Sequence, residues 1–253
     1  MIEVRELREV AEFQRVNALF DDIWHFSPAE PPVTLELMRV LSHIGGYVAG
    51  AFDGDRLVGA SVGLLAAGGV LHSHVTGVTA GGAGLELKLH QRRWALERGI
   101  DRVTWTYDPL VRRNAHFNLA KLGARPQEYL PCFYGVMEDA INRGDESDRL
   151  LTVWPLTAPH VEALARREPH ATPVPQDAAV ALADEGGRPV GGPADAETVL
   201  VAVPADVESL RRADPGLAKA WRLAVREVLG GLMAEGRQVT GFAGRSWYVV
   251  RKV

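Results

Sequence analysis

The chain has 253 residues, 47% hydrophobic and 24% charged, an ordinary globular composition that excludes intrinsic disorder. Its formal net charge of -4 provides no general attraction to nucleic acid or to an anionic membrane, so neither is expected as a partner. The only cysteine, Cys132, excludes an intrachain disulfide. Since no apolar run approaches the length of a membrane span and no signal peptide is evident, a cytoplasmic location is expected.

The first eighty residues predict alternating helices and strands. An apolar repeat typical of an amphipathic helix follows a short strand at 2–7, and Thr34 can cap a second helix that ends at Gly45 and Gly46. Three further strands are predicted with glycine-containing turns between them: 47–53, 56–65 and 70–78.

A glycine-rich turn at 79–84 then changes the topology. It leads into a predicted helix at 85–98, a strand at 102–107 and a helix at 112–122. A strand–helix–strand series of this length predicts a right-handed crossover between parallel strands. Two more strands are predicted at 129–136 and 150–154.

The composition changes after Pro155. The segment 157–200 is rich in Ala, Pro, Gly and acidic residues, so we place a domain boundary near 156, with a core at 1–156 and a smaller α/β extension at 157–253. The predicted elements of the extension are two strands, a broken helix and a terminal hairpin, at 178–183, 199–203, 210–232, 239–242 and 247–250.

The turn before the predicted third helix has the composition of an anion site. Backbone N–H groups of Gly81, Gly82, Ala83 and Gly84 would point at one place, where the helix dipole adds positive charge suited to a phosphate. A plain tight turn is the alternative reading. The G-x-G-x-x-G spacing of a Rossmann site and the Walker pattern are both absent.

Several segments resemble one superfamily. They are LHSHVTGV (71–78), LKLHQRRWALERGI (87–100), TWTYDPLVRRNAHFNLAKLGA (104–124), YLPCFYG (129–135), NRGDESDRL (142–150), DPGLAKAWRLAVRE (214–227) and VTGF (239–242). They resemble the GNAT acyltransferases, in particular a branch of predicted acetyltransferases with a C-terminal extension of about a hundred residues. The resemblance implies an α/β fold with a central mixed sheet flanked by helices, and binding of acetyl-CoA or another acyl-CoA with its pyrophosphate on the turn.

The sequence departs from this superfamily at two places. Gly82 and Gly84 match the two small positions of the Arg/Gln-x-x-Gly-x-Gly/Ala pattern, but Thr79 stands where Arg or Gln is expected, and the loop is about four residues shorter. The Tyr that protonates the leaving thiolate in many relatives corresponds to Leu119. The acid must then be another group, with Tyr107, Tyr129 and Tyr134 as candidates, or water.

The resemblance suggests roles for particular side chains. His74 is a candidate base, because histidine titrates near neutrality, and His72 projects from the same face of the strand. Asp108 is a second candidate base at the carboxyl end of a strand, with a helix cap as its alternative role. His72 and His74 have no evident further ligands in the sequence, so no metal site is expected.

The remaining candidates are binding residues, for each of which an ordinary core or surface role is the alternative. Val78 and the turn 81–84, together with Asn114 and Asn118, are predicted to bind the cofactor. Trp24, His72, Arg112 and Tyr134 are predicted to contact the acceptor. The polar set Asn142, Ser147, Asp148 and Arg149 predicts either a turn held by side-chain hydrogen bonds or an acceptor-binding loop.

Together these expectations predict an acyl-CoA-dependent N-acyltransferase, with an acetyl or succinyl donor and a small amine such as an amino acid as acceptor. The alternatives are an enzyme on the same fold that does not use CoA and a non-catalytic binding protein, in which the extension would mainly form a homodimer.

Overall fold

The computed structural model describes residues 1–26, 31–137, 144–168 and 171–252. By internal contacts the chain divides into two compact units, Met1–Trp105 and Thr106–Val253. The composition change near residue 156 therefore lies inside the second unit, and as a domain boundary it stays a prediction. Asn142 lies outside the described residues.

The first unit contains a mixed sheet in the strand order β1-β2-β3-β4-β5. The strands are Ile2–Glu6, Tyr47–Asp53, Arg56–Ala66, Val70–Val78 and Arg102–Tyr107, the last of which ends in the second unit. The first four strands pair antiparallel, whereas β4 and β5 pair parallel through Leu71↔Val103 and His72↔Thr104. This parallel pair confirms the parallel strands predicted from the strand–helix–strand pattern.

Outside the gap at 27–30, three helices accompany this sheet: α1 (Val10–Trp24), α2 (Leu35–His43) and α3 (Ala83–Leu96). The Thr34 side chain accepts a hydrogen bond from the Leu37 N–H and caps α2, as predicted. Apolar side chains of α1 and α2, including Phe13, Phe20 and Met38, form one buried cluster with β2 and β3. The cluster fixes both helices on the strands that precede the glycine turn.

The second unit contains an antiparallel pair, β6 (Arg125–Leu130) and β9 (Arg149–Pro155), and a short pair, β7 (Val136–Met137) and β8 (Asp145–Glu146). The strand predicted at 129–136 was wrong, because pairing ends at Leu130 and a turn follows. In that turn Cys132 has a φ of 47°.

A five-stranded sheet in the order β11-β10-β12-β14-β13 lies within the predicted extension. Its strands are β10 (Ala179–Glu185), β11 (Arg188–Gly191), β12 (Thr198–Ala202), β13 (Gln238–Ala243) and β14 (Trp247–Arg251). β10 and β12 pair parallel and the other neighbours antiparallel, so this sheet is also mixed. The predicted hairpin forms between β13 and β14.

In its described residues the second unit also contains five α-helices, two of which continue into π-helical turns. They are α4 (Arg112–Ala115, then π-helical His116–Lys121), α5 (Pro159–Ala165), α6 (Val207–Ala213), α7 (Pro215–Val225, then π-helical Arg226–Gly230) and α8 (Gly231–Ala234). The break predicted at 214–216 occurs between α6 and α7. Among the described residues no helix has the length and hydropathy needed to cross a bilayer.

Candidate functional site

The glycine turn lies in the first unit, between the end of β4 and the start of α3. Gly82 is the N-cap residue of α3 with a φ of 87°, a left-handed conformation that costs glycine little. Gly81 and Gly82 are exposed, and a Cβ atom added to either would meet no atom within 4 Å. The turn is therefore open to a ligand.

The amides of this turn are available in part. The Ala83 N–H bonds the Ala80 carbonyl at 3.4 Å, which closes the turn. The N–H groups of Gly81, Gly82 and Gly84 donate to no carbonyl in the described part of the chain. An exposed set of free amides at the positive end of a fourteen-residue helix fits a phosphate.

Thr79 does not contribute to that site. Its N–H and its hydroxyl both bond the Val58 carbonyl, at 2.9 and 3.3 Å, so the side chain is held on β3. Any phosphate on this turn is bound without the Arg or Gln of the superfamily pattern.

His74 is an exposed residue of β4 that contacts the loop before α2. Its Nε2 lies 3.0 Å from the Pro32 carbonyl oxygen. Since a carbonyl can only accept, Nε2 carries the hydrogen, and Nδ1 is the ring nitrogen left to accept a proton. His74 has the tautomer and the exposure of a base.

His72 is half-buried, and its Nδ1 lies 3.0 Å from the Thr104 hydroxyl on β5. Burial lowers the pKa of His72, and the nearby His74 and Lys88 lower it further. His72 is therefore neutral at pH 7. The strand register shifts at His74, since Gly63 pairs with Ser73 but Val62 pairs with Val75, which leaves His74 in a bulge.

Trp24 lies over the end of β4. A Cβ atom at Gly77 would come within 2.8 Å of its ring, and the same ring is 5.1 Å from that of Phe20. Val78, the last residue of β4, is 39% exposed and pairs with Gly59. Because Gly77 has no side chain, the Trp24 ring lies close to the backbone at the end of β4.

Ser73, Lys88 and Gln91, which the sequence analysis did not select, are buried in the first unit. Lys88 donates to the Ser73 hydroxyl at 2.9 Å and to the Gln91 side-chain oxygen at 3.0 Å. Its Nζ lies 4.0 Å from the centre of the Trp105 ring. Lys88 and Gln91 occupy the apolar stripe formed by Leu87, Trp94 and Ala95, a signal that polar residues are buried there.

Asp108 is in the second unit, where its carboxylate is fully engaged. It accepts from Arg222 at 2.8 Å through both oxygens, from Arg211 at 2.6 Å and from the Leu110 N–H at 2.9 Å. Although burial opposes ionisation, the two arginines hold the pKa of Asp108 far below its usual range. A carboxylate in this state is a very weak base.

Two of the candidate acids are also bonded within the second unit. The Tyr107 hydroxyl lies 3.4 Å from that of Tyr248, which donates to the Pro109 carbonyl at 2.8 Å. Tyr129 donates to Asp148 at 2.7 Å. Burial raises the pKa of Tyr107 and of Tyr129, so both phenols hold their protons firmly.

The third candidate acid, Tyr134, is 48% exposed in the turn after β6. Its hydroxyl lies 3.3 Å from that of Thr106, and its ring packs edge-on against Phe133 at 4.7 Å. The Arg149 guanidinium lies 5.3 Å from the ring centre. Tyr134 is thus part of an exposed aromatic pair beside a cation, consistent with an acceptor contact.

The helix after β5 carries the other predicted binding residues. Arg112 donates to the Val203 carbonyl, Asn114 is partly exposed, and Asn118 and Leu119 are buried. Their roles in binding the cofactor and the acceptor stay predictions. Among the described residues, no group of three or more His, Cys, Asp or Glu side chains is arranged to hold a metal ion.

Comparison with solved structures identifies the fold. The ribosomal-protein-S18-alanine N-acetyltransferase of Escherichia coli superposes with a TM-score of 0.50 and 11% identity, covering 62% of this chain and 96% of its own. yncA of Salmonella typhimurium, solved with its cofactor acetyl-CoA, gives 0.50 and 14% identity, over 62% and 97%. The chain has the GNAT acetyltransferase fold.

An aminoglycoside 6'-acetyltransferase type Ii matches this GNAT fold to the same degree, with a TM-score of 0.50, 15% identity, and coverage of 62% of this chain and 98% of its own. No family model and no curated protein matches the sequence. The GNAT fold accounts for about 60% of the chain, and the five-stranded sheet is additional to it.

Proposed function

We propose that this protein is an acyl-CoA-dependent N-acyltransferase that acts on the amine of a small molecule such as an amino acid, with an acetyl or succinyl donor. The observation that carries the proposal is the turn at Gly81–Gly84 at the start of α3, on a chain with the GNAT fold. Its free amides and open surroundings suit the CoA pyrophosphate.

The residues of β4 supply the rest of the proposed chemistry. The acceptor amine attacks the thioester carbonyl, and backbone N–H groups near the end of β4 polarise the carbonyl oxygen. His74 takes the amine proton on Nδ1, while its Nε2 stays on the Pro32 carbonyl. We leave Asp108 out of this scheme, because its two arginine partners keep it ionised and hydrogen-bonded.

Replacement of Gly82 by alanine tests the turn. A Cβ atom there would stand in the open space meant for the phosphate and would strain a left-handed residue by about 1–2 kcal/mol. We expect calorimetry to show acetyl-CoA and succinyl-CoA binding at least about tenfold more weakly than to the wild type. The tighter of the two ligands would identify the donor group.

Gly45 provides a matched control. It has a φ of 86°, nothing lies within 4 Å of an added Cβ atom, and it follows α2 rather than β4. Gly45→Ala should lower the melting temperature as Gly82→Ala does, yet leave CoA binding unchanged. The proposal fails if the wild-type protein binds neither acyl-CoA at millimolar concentration.

A CoA-independent reaction on the same fold is the second candidate. The observations in its favour are the attachment of Thr79 to Val58 and the burial of Leu119, which leave two expected cofactor contacts unmade. A small metabolite that raises the melting temperature, in a protein that ignores every acyl-CoA, would support this candidate.

A further inference from the structure

Ser73, Lys88 and Gln91 form a polar cluster in the interior of the first unit. Ser73 is on β4, the other two are on α3, and none is more than 5% exposed. Lys88 has no carboxylate partner among the described residues, which is unusual for a buried lysine because burial penalises its charge. We therefore looked for a function that needs a lysine at this buried position.

The hydrogen bonds of this cluster leave one proton unused. Ser73 Oγ accepts from Lys88 Nζ at 2.9 Å and from Gln91 Nε2 at 3.2 Å, so both of its lone pairs are occupied. The three N–H bonds of the ammonium match the Ser73 oxygen, the Gln91 oxygen and the Trp105 ring face. The Ser73 hydroxyl hydrogen has no acceptor in the described part of the chain.

The cluster lies where β4 and β5 stop pairing. Their parallel register comprises Leu71↔Val103 and His72↔Thr104, and the next residues along the two strands are Ser73 and Trp105. β4 then continues to Val78 and the glycine turn, roughly 17 Å further on at 3.3–3.4 Å per residue. A thioester arm that starts on the turn and follows β4 would end beside Ser73.

We propose that Ser73 and Lys88 form a buried pair that donates a proton to the sulphur of CoA. Ser73 contacts the sulphur, and Lys88 acts through Ser73. This inference rests on the proposed function. Ser73 would be the general acid, a role that Leu119 cannot fill because its side chain has no proton to donate. Ser73 is then a catalytic residue and Lys88 a positioning residue.

The proposed step conserves atoms and protons. As the acceptor nitrogen forms its bond to the acyl carbon and the carbon–sulphur bond breaks, Ser73 gives its hydroxyl proton to the departing sulphur. Lys88 replaces that proton from its ammonium group and is left as a neutral amine, while Gln91 keeps both groups in place. Solvent then restores the proton on Lys88.

Electrostatics support this direction of transfer. Burial lowers the pKa of Lys88 to about 7, so loss of a proton near neutrality costs little. His72 on β4 is the titratable neighbour that interacts with Lys88, and its own lowered pKa keeps it neutral at that pH. The other groups that surround the ammonium, Ser73, Gln91 and Trp105, do not titrate near neutrality.

Titration of bound CoA tests the pair without knowledge of the acceptor. Ultraviolet difference absorbance reports the thiolate of CoA on saturated protein, with ligand-free protein subtracted at each pH. In the wild type we expect the pKa of the bound thiol to lie below that of free CoA in the same buffer. Ser73→Ala and Lys88→Met should each raise it by about one unit, a tenfold change in thiolate fraction at fixed pH.

Ser61→Ala is the matched control, since Ser61 is a buried hydroxyl on the neighbouring strand that bonds Thr76 at 2.8 Å. It should leave the thiol titration as in the wild type. Calorimetry on every variant establishes whether CoA is bound. Bound CoA whose thiol titrates alike in the wild type, Ser73→Ala and Lys88→Met overturns the pair but not the proposed function. Absence of CoA binding to the wild type overturns both.

Discussion

Lys88 shows how a single buried charge makes stability depend on pH. Its ordinary pKa of 10.5 applies in the unfolded chain, and burial lowers that value to about 7 in the folded one. Between these values the unfolded chain binds more protons than the folded one. The free energy of unfolding should therefore rise as the pH increases from about 7 to about 10.

Lys88→Met should remove this dependence, because methionine is apolar, similar in length and uncharged. We expect the wild-type free energy of unfolding to gain up to about 1.4 kcal/mol per pH unit between pH 7 and pH 10 from this residue, and the variant to lack that slope. Urea unfolding at several pH values measures it. Lys121→Met, at an exposed position, should keep the wild-type slope. Equal slopes in wild type and Lys88→Met would contradict the prediction.

Some single-residue properties could be predicted from the sequence. The Thr34 cap follows from local chemistry, and the structure confirms it. The partners of Asp108 could not be predicted, since Arg211 and Arg222 are more than a hundred residues away in the chain. In the sequence of α3, Leu85, Leu89 and Leu96 share one apolar face and Leu87 and Trp94 lie on an adjacent one, and the structure buries the adjacent face together with Lys88 and Gln91. Periodicity alone does not choose between adjacent faces of a helix.

At the scale of an element, the helix after β5 has a hydrogen-bonding pattern that the sequence did not predict. The helix predicted at 112–122 is α-helical only at Arg112–Ala115, and its backbone changes to π-helical hydrogen bonding at His116–Lys121. A π-turn holds an additional residue, so side chains beyond it point in directions that 3.6-residue spacing does not predict. Leu119 nevertheless faces the interior and is 1% exposed.

Leu119→Tyr should consequently fail to restore the acid of the superfamily. A tyrosine adds a ring and a hydroxyl to a closed site, and overpacking of this kind costs about 1–3 kcal/mol. We expect a lower melting temperature and no gain in CoA release from acyl-CoA. Leu119→Met, which nearly conserves volume, should melt close to the wild type. If Leu119→Tyr were as stable as the wild type and released CoA from acyl-CoA faster, the side chain at this position would reach the reaction centre.

Most elements of the first unit could be predicted because turns and periodicity coincide there. The strand bounds 47–53, 70–78 and 102–107 agree with those observed. The failure at 129–136 has a physical origin in the turn at 131–135, where backbone groups bond Ser147 and Asp148 instead of a strand. Apolar and aromatic residues in that turn resemble a strand by composition alone.

At the scale of the whole molecule, the second unit joins residues from both sides of the composition change near 156. Arg211 and Arg222 bond Asp108 and Asp145, and Arg226 bonds Asp148. These pairs are largely buried, so each carboxylate depends on an arginine of the predicted extension. The composition of a segment does not show which distant charges its side chains pair with. The extent of the second unit could therefore not be predicted from composition.

Removal of the extension should therefore unfold more than the extension. In a fragment of residues 1–156, Asp108, Asp145 and Asp148 lose their arginine partners, and breaking one side of a buried pair costs about 3–5 kcal/mol. Amide hydrogen exchange should show little protection at 106–156 and retained protection within 1–105, the other compact unit. Asparagine at all three positions should recover part of the protection, because it removes the unpaired charges while nearly conserving shape. Protection at 106–156 equal to that of the full chain would mean that the arginine pairs do not hold this segment together.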